Sequence, residues 1–302
     1  MILYHYPMSP FSEKLRLLLG YTDTVWQGVI VPEMPPRVAL DPLLQGYRRI
    51  PVAQDGADIY CDTRLIASEL AARTERPELA PANADETALN LSSDLEGDVF
   101  WACVASIPAT QILKQLVRNI SLLGAFRFIR DRAGVARDAV TKPMSPKQAK
   151  QVFATHLQEL NAYLEHGSPF LGGETPDYLD FSAYHTLWFQ CVVGEIPAPE
   201  HHLALMRWYR SMQAIGHGEH EQISAKMAQR AAQGASPRPV ESLVAHADLG
   251  KPVGLRPDDY ALDETRGELV AVTNDRYVIA QDADVGRLHL HFPQTGFTLR
   301  RL

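Results

Sequence analysis

The chain has 302 residues, 29 basic and 36 acidic, for a net charge of −7, with 46% hydrophobic and 22% charged residues. This is the balance of an ordinary globular protein of two or three domains that needs no disulfide or metal to staple its core. Scattered basic residues exclude the basic stripe of a nucleic-acid protein, and no run of about eighteen apolar residues marks a membrane helix.

In chain order, residues 2–6 read as a short buried strand and 10–20 as a helix, with Leu15, Leu18 and Leu19 at helical spacing. Residues 25–31 ("VWQGVIV") read as a second strand, followed by the proline-rich connection "PEMPPRVALDPL". "IPVAQDGADIYC" predicts a hairpin turning at Asp55-Gly56, and "DTRLIASELAAR" a helix after it. From Asp85 the pattern turns helical: 86–118 with a break near Pro108, 145–167 capped by Ser145, 175–194, 201–216 and 221–234. The segment 175–194 is apolar all round, which marks the buried centre of a bundle. "GASPRP" at 234–239 reads as a linker, and the strand-like remainder is expected to form a small separate module.

Cys61, Cys103 and Cys191 form no CxxC pair, so no disulfide framework or structural zinc is expected and a reducing compartment fits. No basic start leading into an apolar stretch precedes the first strand, so a cytoplasmic location is the expectation. The pairs His201–His202 and His217–His220 lack ligand-spaced partners and are expected at solvated helix ends. His289 and His291 alternate with Leu288, Leu290 and Phe292, which predicts a strand with one wet face.

Three blocks, "SPFSEKLRLLL", "RRIPVAQDGADIYCDTRLIASEL" and "FLGGETPDYLDFSAY", come in an order and spacing that resembles the glutathione transferase superfamily. The resemblance covers residues 1–230. It implies a thioredoxin-like α+β domain at 1–78, an all-helical domain at 85–233 and, unexplained by the family, a small all-β module at 237–302.

Ser9 before Pro10 is a good helix N-cap, and the N–H groups and dipole gathered there favour an anion. By the resemblance Ser9 stands where serine-type members hold the glutathione thiolate, with Ser12 at the second position of the redox pair of cysteine-type members. Serine at both rules out disulfide exchange through the protein's own thiol. Tyr6, at the end of the first strand, is the other donor position the family uses. The resemblance further places Ile50 and a cis Pro51 against the tripeptide backbone, and Arg49 against its glycyl carboxylate. Asp62 and Thr63 replace the usual Glu-Ser pair facing the γ-glutamyl end.

Asp177 and Asp180 read as a capping box for the central helix. Phe100 and Trp101 read as core residues, with an apolar second-substrate pocket as their other use. The reading implies a homodimer that conjugates glutathione, as co-substrate, to small apolar electrophiles, with no metal. The second substrate and the reaction type stay open. A non-catalytic scaffold that recognises a partner through the β module is the alternative.

Overall fold

The computed structural model describes residues 1–84, 86–139, 144–165 and 167–302. Asp85, where the helical part is expected to begin, and His166, inside an expected helix, lie outside the described residues. The chain opens β1 (Ile2–His5), α1 (Pro10–Tyr21), β2 (Trp26–Ile30), β3 (Val52–Asp55), β4 (Asp58–Cys61) and α2 (Thr63–Arg73). β1 pairs parallel with β2 and antiparallel with β3, and β3 with β4. The hairpin turns one residue later than expected: Asp55 faces Asp58 across Gly56-Ala57, with Gly56 at φ +58°. Its left-handed backbone is why glycine sits at the first turn position.

The sheet separates two cores, because successive side chains on a strand point to opposite faces. Leu3, Ala53 and Tyr60 face α1, α2 and the helical layer, while Tyr4, Val52 and Ile59 face the other way.

The helical layer comprises α3 (Glu86–Glu96), α4 (Asp98–Ser106), α5 (Ala109–Asp138), α6 (Pro146–Glu165), α7 (Tyr178–Trp188) and α8 (Leu203–Ile215). The break expected near Pro108 is present at Ile107-Pro108, a further one falls at Gly97, and α5 then continues to Asp138 through a non-helical Ser121. Every residue of α7 is buried. Its capping box is present, and Asp180 also accepts the Leu171, Gly172 and Trp208 N–H groups at 2.6–2.9 Å.

The last part departs from expectation most. After α8 come β5 (His220–Gln222), which adds parallel to β2, and α9 (Ala225–Gln233). Then β6 (Pro252–Pro257), β7 (Thr265–Val272), β8 (Arg276–Ala283), β9 (Gly286–Pro293) and β10 (Phe297–Arg301) do not form a sheet of their own. β9 pairs parallel with β4, giving one ten-stranded sheet in the order β10-β6-β7-β8-β9-β4-β3-β1-β2-β5. Val253, Leu255, Leu288, Leu290 and Phe292 share one core with Tyr4, Val29 and Ile59. No local sequence signal encodes a pairing between residues 58–60 and 289–291.

A polar lock sits on the junction. His291 donates from Nε2 to Asp58 at 2.8 Å and stacks on Tyr60, and the Arg238 N–H reaches the same carboxylate at 2.9 Å. Glu69 on α2 gathers Arg73, Arg238 and Arg276. The wet histidine face is therefore half wrong: His291 is buried and His289 half-buried, because α2 and the linker cover that side. His217 and His220 are not simply solvated either. His217 contacts Glu13 at 3.1 Å, and His220 stacks on Trp26.

Burial pushes the Asp58 carboxyl up, but His291 and Arg238 outweigh it and hold it below the ordinary carboxylate range. Its contribution to stability is thus present above about pH 3.9 and lost as pH falls through the lowered value. Asp58→Asn is expected to cost about 1–3 kcal/mol in urea unfolding at neutral pH and to flatten the acid limb of stability. An unchanged midpoint and an unchanged acid limb would show that the lock holds nothing.

Candidate functional site

The first turn of α1, the β3 entry and the α2 corner meet at one end of the sheet. Ser9 caps α1: its Oγ accepts the Ser12 N–H at 3.1 Å, leaving its own O–H without an acceptor among the described residues. Ser9 is 1% exposed, and the Ser12 hydroxyl is fully buried with no hydrogen-bond partner. Ile50-Pro51 is cis. Asp62, at φ +77°, caps α2 by accepting the Arg64 N–H at 2.9 Å through Oδ1. That left-handed φ costs a non-glycine residue on the order of 1–3 kcal/mol, and it sets the carboxylate at the corner of the strand and helix.

These residues divide between two hollows. Arg49, Ile50, Pro51, Asp62 and Thr63 line a narrow groove of about 70 Å³. Ser9 and Tyr6 line a neighbouring cavity of about 370 Å³, walled by Phe100, Trp101, Phe128 and Phe189. The structure thus brings five of the six expected residues into one groove and puts Ser9 next door. Phe100 and Trp101 are wall residues of the cavity as well as packing partners of each other, 5.3 Å between rings.

Phe11, Arg49 and Ile50 line both hollows, and so does Tyr260. It belongs to the connection between β6 and β7, which crosses the groove as a strap. Arg49 donates to the Asp259 carboxylate and to the Tyr260 carbonyl, and its guanidinium lies 4.1 Å from the Tyr260 ring centroid. Tyr260 meets Trp101 edge-on at 5.4 Å. Burial disfavours the Arg49 cation, yet Tyr260, Tyr47 and Asp259 outweigh it and raise its pKa. Gly46 fixes the approach: it has φ +84°, and a Cβ there would lie 2.1 Å from the Glu264 carbonyl oxygen, so this loop presses on the strap's exit. Sequence reasoning missed the strap altogether.

A second missed group includes two further residues of the groove lining, Arg64 and Glu96. Lys14 on α1 is fully buried, paired with Glu96 and 2.8 Å from the Tyr178 hydroxyl. Arg64 reaches the same glutamate at 3.1 Å, and Ser182 donates to it at 2.9 Å. Burial raises the Glu96 carboxyl, but Lys14 and Arg64 overcome this and hold it far below its ordinary value. The signal was present in "SEKLRLLL": Lys14 shares a helix face with Leu17 and Leu18, and a lysine buried there demands a partner.

Residues 3–78 match the family described as glutathione S-transferase, N-terminal domain. Over its whole length the chain is similar to a solved GST-like protein from Pseudomonas syringae, with 28% identity and a TM-score of 0.77, covering 100% of this chain and 98% of that one. A glutathione S-transferase from Rhodospirillum rubrum F11 aligns with 70% of this chain and 87% of its own, at 17% identity and a TM-score of 0.45. Gtt2 from Saccharomyces cerevisiae aligns with 70% of this chain and 96% of its own, at 15% identity and a TM-score of 0.49. No curated protein matches the chain. The fold is GST-like: a thioredoxin-like amino-terminal domain, a helical layer and a carboxyl-terminal run of strands. The similarity to the Pseudomonas syringae protein extends through that last run. Among the described residues no helix is long and apolar enough to cross a membrane, and no three potential ligands are grouped to hold a metal.

Proposed function

We propose that this protein is a glutathione-dependent transferase, acting in the cytoplasm, that conjugates the tripeptide to a small apolar electrophile. The observation that carries the reading is the meeting of Arg49, Ile50, Pro51, Asp62 and Thr63 in one groove that abuts the cavity bordered by Ser9. Asp62 would take the ligand's α-amino group, Thr63 and the α2 terminus its α-carboxylate, Ile50 its backbone, and Arg49 its glycyl carboxylate. The cysteinyl sulfur would then lie toward the α1 terminus and the free O–H of Ser9. Bringing a thiol from about 8.5 to about 7 takes roughly 2 kcal/mol. A hydrogen bond to a charged group supplies about 1.5–3 kcal/mol and a helix terminus about 0.3–1 kcal/mol. The thiolate, its proton already given up to solvent, attacks the electrophile held in the apolar cavity; in substitution the S–C bond forms as the leaving group departs to solvent, and in addition the resulting carbanion takes a proton back from solvent.

Glutathione can reach Arg49 only if the strap yields Asp259 and Tyr260. At about 70 Å³ the groove lies below the roughly 300 Å³ where small-molecule sites begin. That same observation favours the second reading, a non-catalytic binding protein whose carboxyl-terminal strands keep the groove shut. The homodimer expected of the family fits α5, which exposes Leu113, Leu122, Leu123, Phe126 and Ile129 at 42–72%.

Calorimetric titration with glutathione is expected to show saturable heat at millimolar ligand or below; no heat would leave only the binding-protein reading. With an aryl halide as electrophile, Ser9→Ala is expected to lower kcat/KM by about 10²–10³, with Tyr6→Phe near wild type. The reverse pattern would move the donor to Tyr6. Light scattering should give twice the chain mass and the single-chain mass for Phe126→Glu; a wild-type monomer would refute the dimer.

A further inference from the structure

The large cavity has two chemically different ends. One is aromatic and aliphatic, with Phe100, Trp101, Leu116 and Phe189 among its walls. The other carries Arg37, Arg48, Arg49 and Arg132 against the single carboxylate of Glu33. Two of these cations are compensated within the chain. Arg48 pairs with Asp131 at 2.5 Å, and Arg49 with Asp259.

The other two lean on carbonyl groups. Arg37 donates to the Pro32, Arg48 and Glu33 carbonyls at 2.7–3.1 Å, and among the described residues no carboxylate lies within ion-pair distance of its guanidinium. Arg132 reaches across from α5 to the Glu33 carbonyl at 2.9 Å, and its Nε is buried with no hydrogen-bond partner. Its approach to Asp131, at 3.7 Å, is shared with the Arg48 pair. Tyr6 borders the same end, and its hydroxyl makes no hydrogen bond among the described residues. Carbonyl oxygens orient a guanidinium but do not neutralise it, and for the buried Arg37 a cation held out of water without a counter-charge is costly, while the half-exposed Arg132 has only a share of Asp131. Consistent with that, burial, followed by repulsion from Arg132 and Arg48, pushes the Arg37 pKa down to about 10 against the opposing pull of Tyr6 and Asp41.

We infer that the cavity is built for a molecule with an apolar body and a carboxylate head, the head lying between Arg37 and Arg132 beside the Tyr6 hydroxyl. A planar carboxylate matches the guanidinium fork, and the aromatic walls take the chain or ring behind it. The inference deepens the proposed function, since it assigns the acceptor's chemical class to the same cavity, but it does not require glutathione to bind.

The test uses decanoate and decanol as probes, each titrated into the full-length protein without glutathione and followed by tryptophan fluorescence and calorimetry. Decanoate is expected to bind at least tenfold tighter than decanol. Arg132→Gln, at a half-exposed position that spares the Arg37 scaffold, should erase most of that ratio while leaving decanol affinity unchanged. Equal affinities for the two probes, no decanoate binding, or an Arg132→Gln ratio equal to wild type would each overturn the inference. A failed glutathione titration alongside intact decanoate selectivity would sink only the transferase reading.

Discussion

The parallel pairing of β9 with β4 is the constraint from which the rest of the site follows. It turns β4 from an edge into an interior strand and carries the last fifty residues onto the amino-terminal sheet. Because β6 and β7 lie further along the same sheet, their connection is swung over the entrance of α2 and into reach of Arg49. The pairing is reinforced where a two-strand contact would be weak. Apolar residues from both sides fill one core, and Asp58, His291 and Glu69 bind the junction with charge-assisted hydrogen bonds.

Electrostatics around the groove are then a matter of which charges find partners inside the chain. Lys14, Arg64 and Glu96 satisfy one another at the groove and hold α1, α2 and α3 together. Removing one member of such a buried set is expensive, because the remaining charge loses its counterpart out of water. Arg49 is satisfied by the strap, through a carboxylate and a carbonyl of the chain itself. Under the proposed function, a tripeptide bringing its own carboxylate would exchange one ion pair for another, a near-balanced substitution that contacts at Asp62 and Ile50 would drive. Among the described residues Arg37 has no carboxylate of its own and Arg132 only a share of Asp131, which separates the chemistry of the cavity from that of the groove.

The amino-terminal elements were legible because their signals are local. Ser9-Pro10 starts α1, Asp177 and Asp180 cap α7, and the glycine after Asp55 marks the hairpin of β3 and β4. Of the groove residues only Asp62-Thr63 carries a local signal, that of a helix cap; Arg49, Ile50 and Pro51 were expected there through the resemblance and not from their neighbours. What escaped depends on distant pairs. Nothing near Leu288 or His291 tells that Ile59 and Tyr60 lie alongside, so the strands were expected to stand apart and the histidines to be wet. Asp259 and Tyr260 resemble any polar connection until the sheet register places them on Arg49. The stop at Gly97 had a local signal in the glycine itself, masked by apolar residues that keep helical spacing across it, whereas the positive-φ Ser121 in α5 carries no turn signature of its own.

Under the proposed function, the strap and the tripeptide would compete for Arg49 beside the α1 terminus. Hydrogen exchange of the full-length protein, followed residue by residue with and without saturating glutathione, tests it directly. The account requires amides at 259–262 to exchange faster and those at 9–12 to slow when ligand is added. Unaltered exchange in both segments, with binding independently established by calorimetry, would contradict it and place the ligand elsewhere.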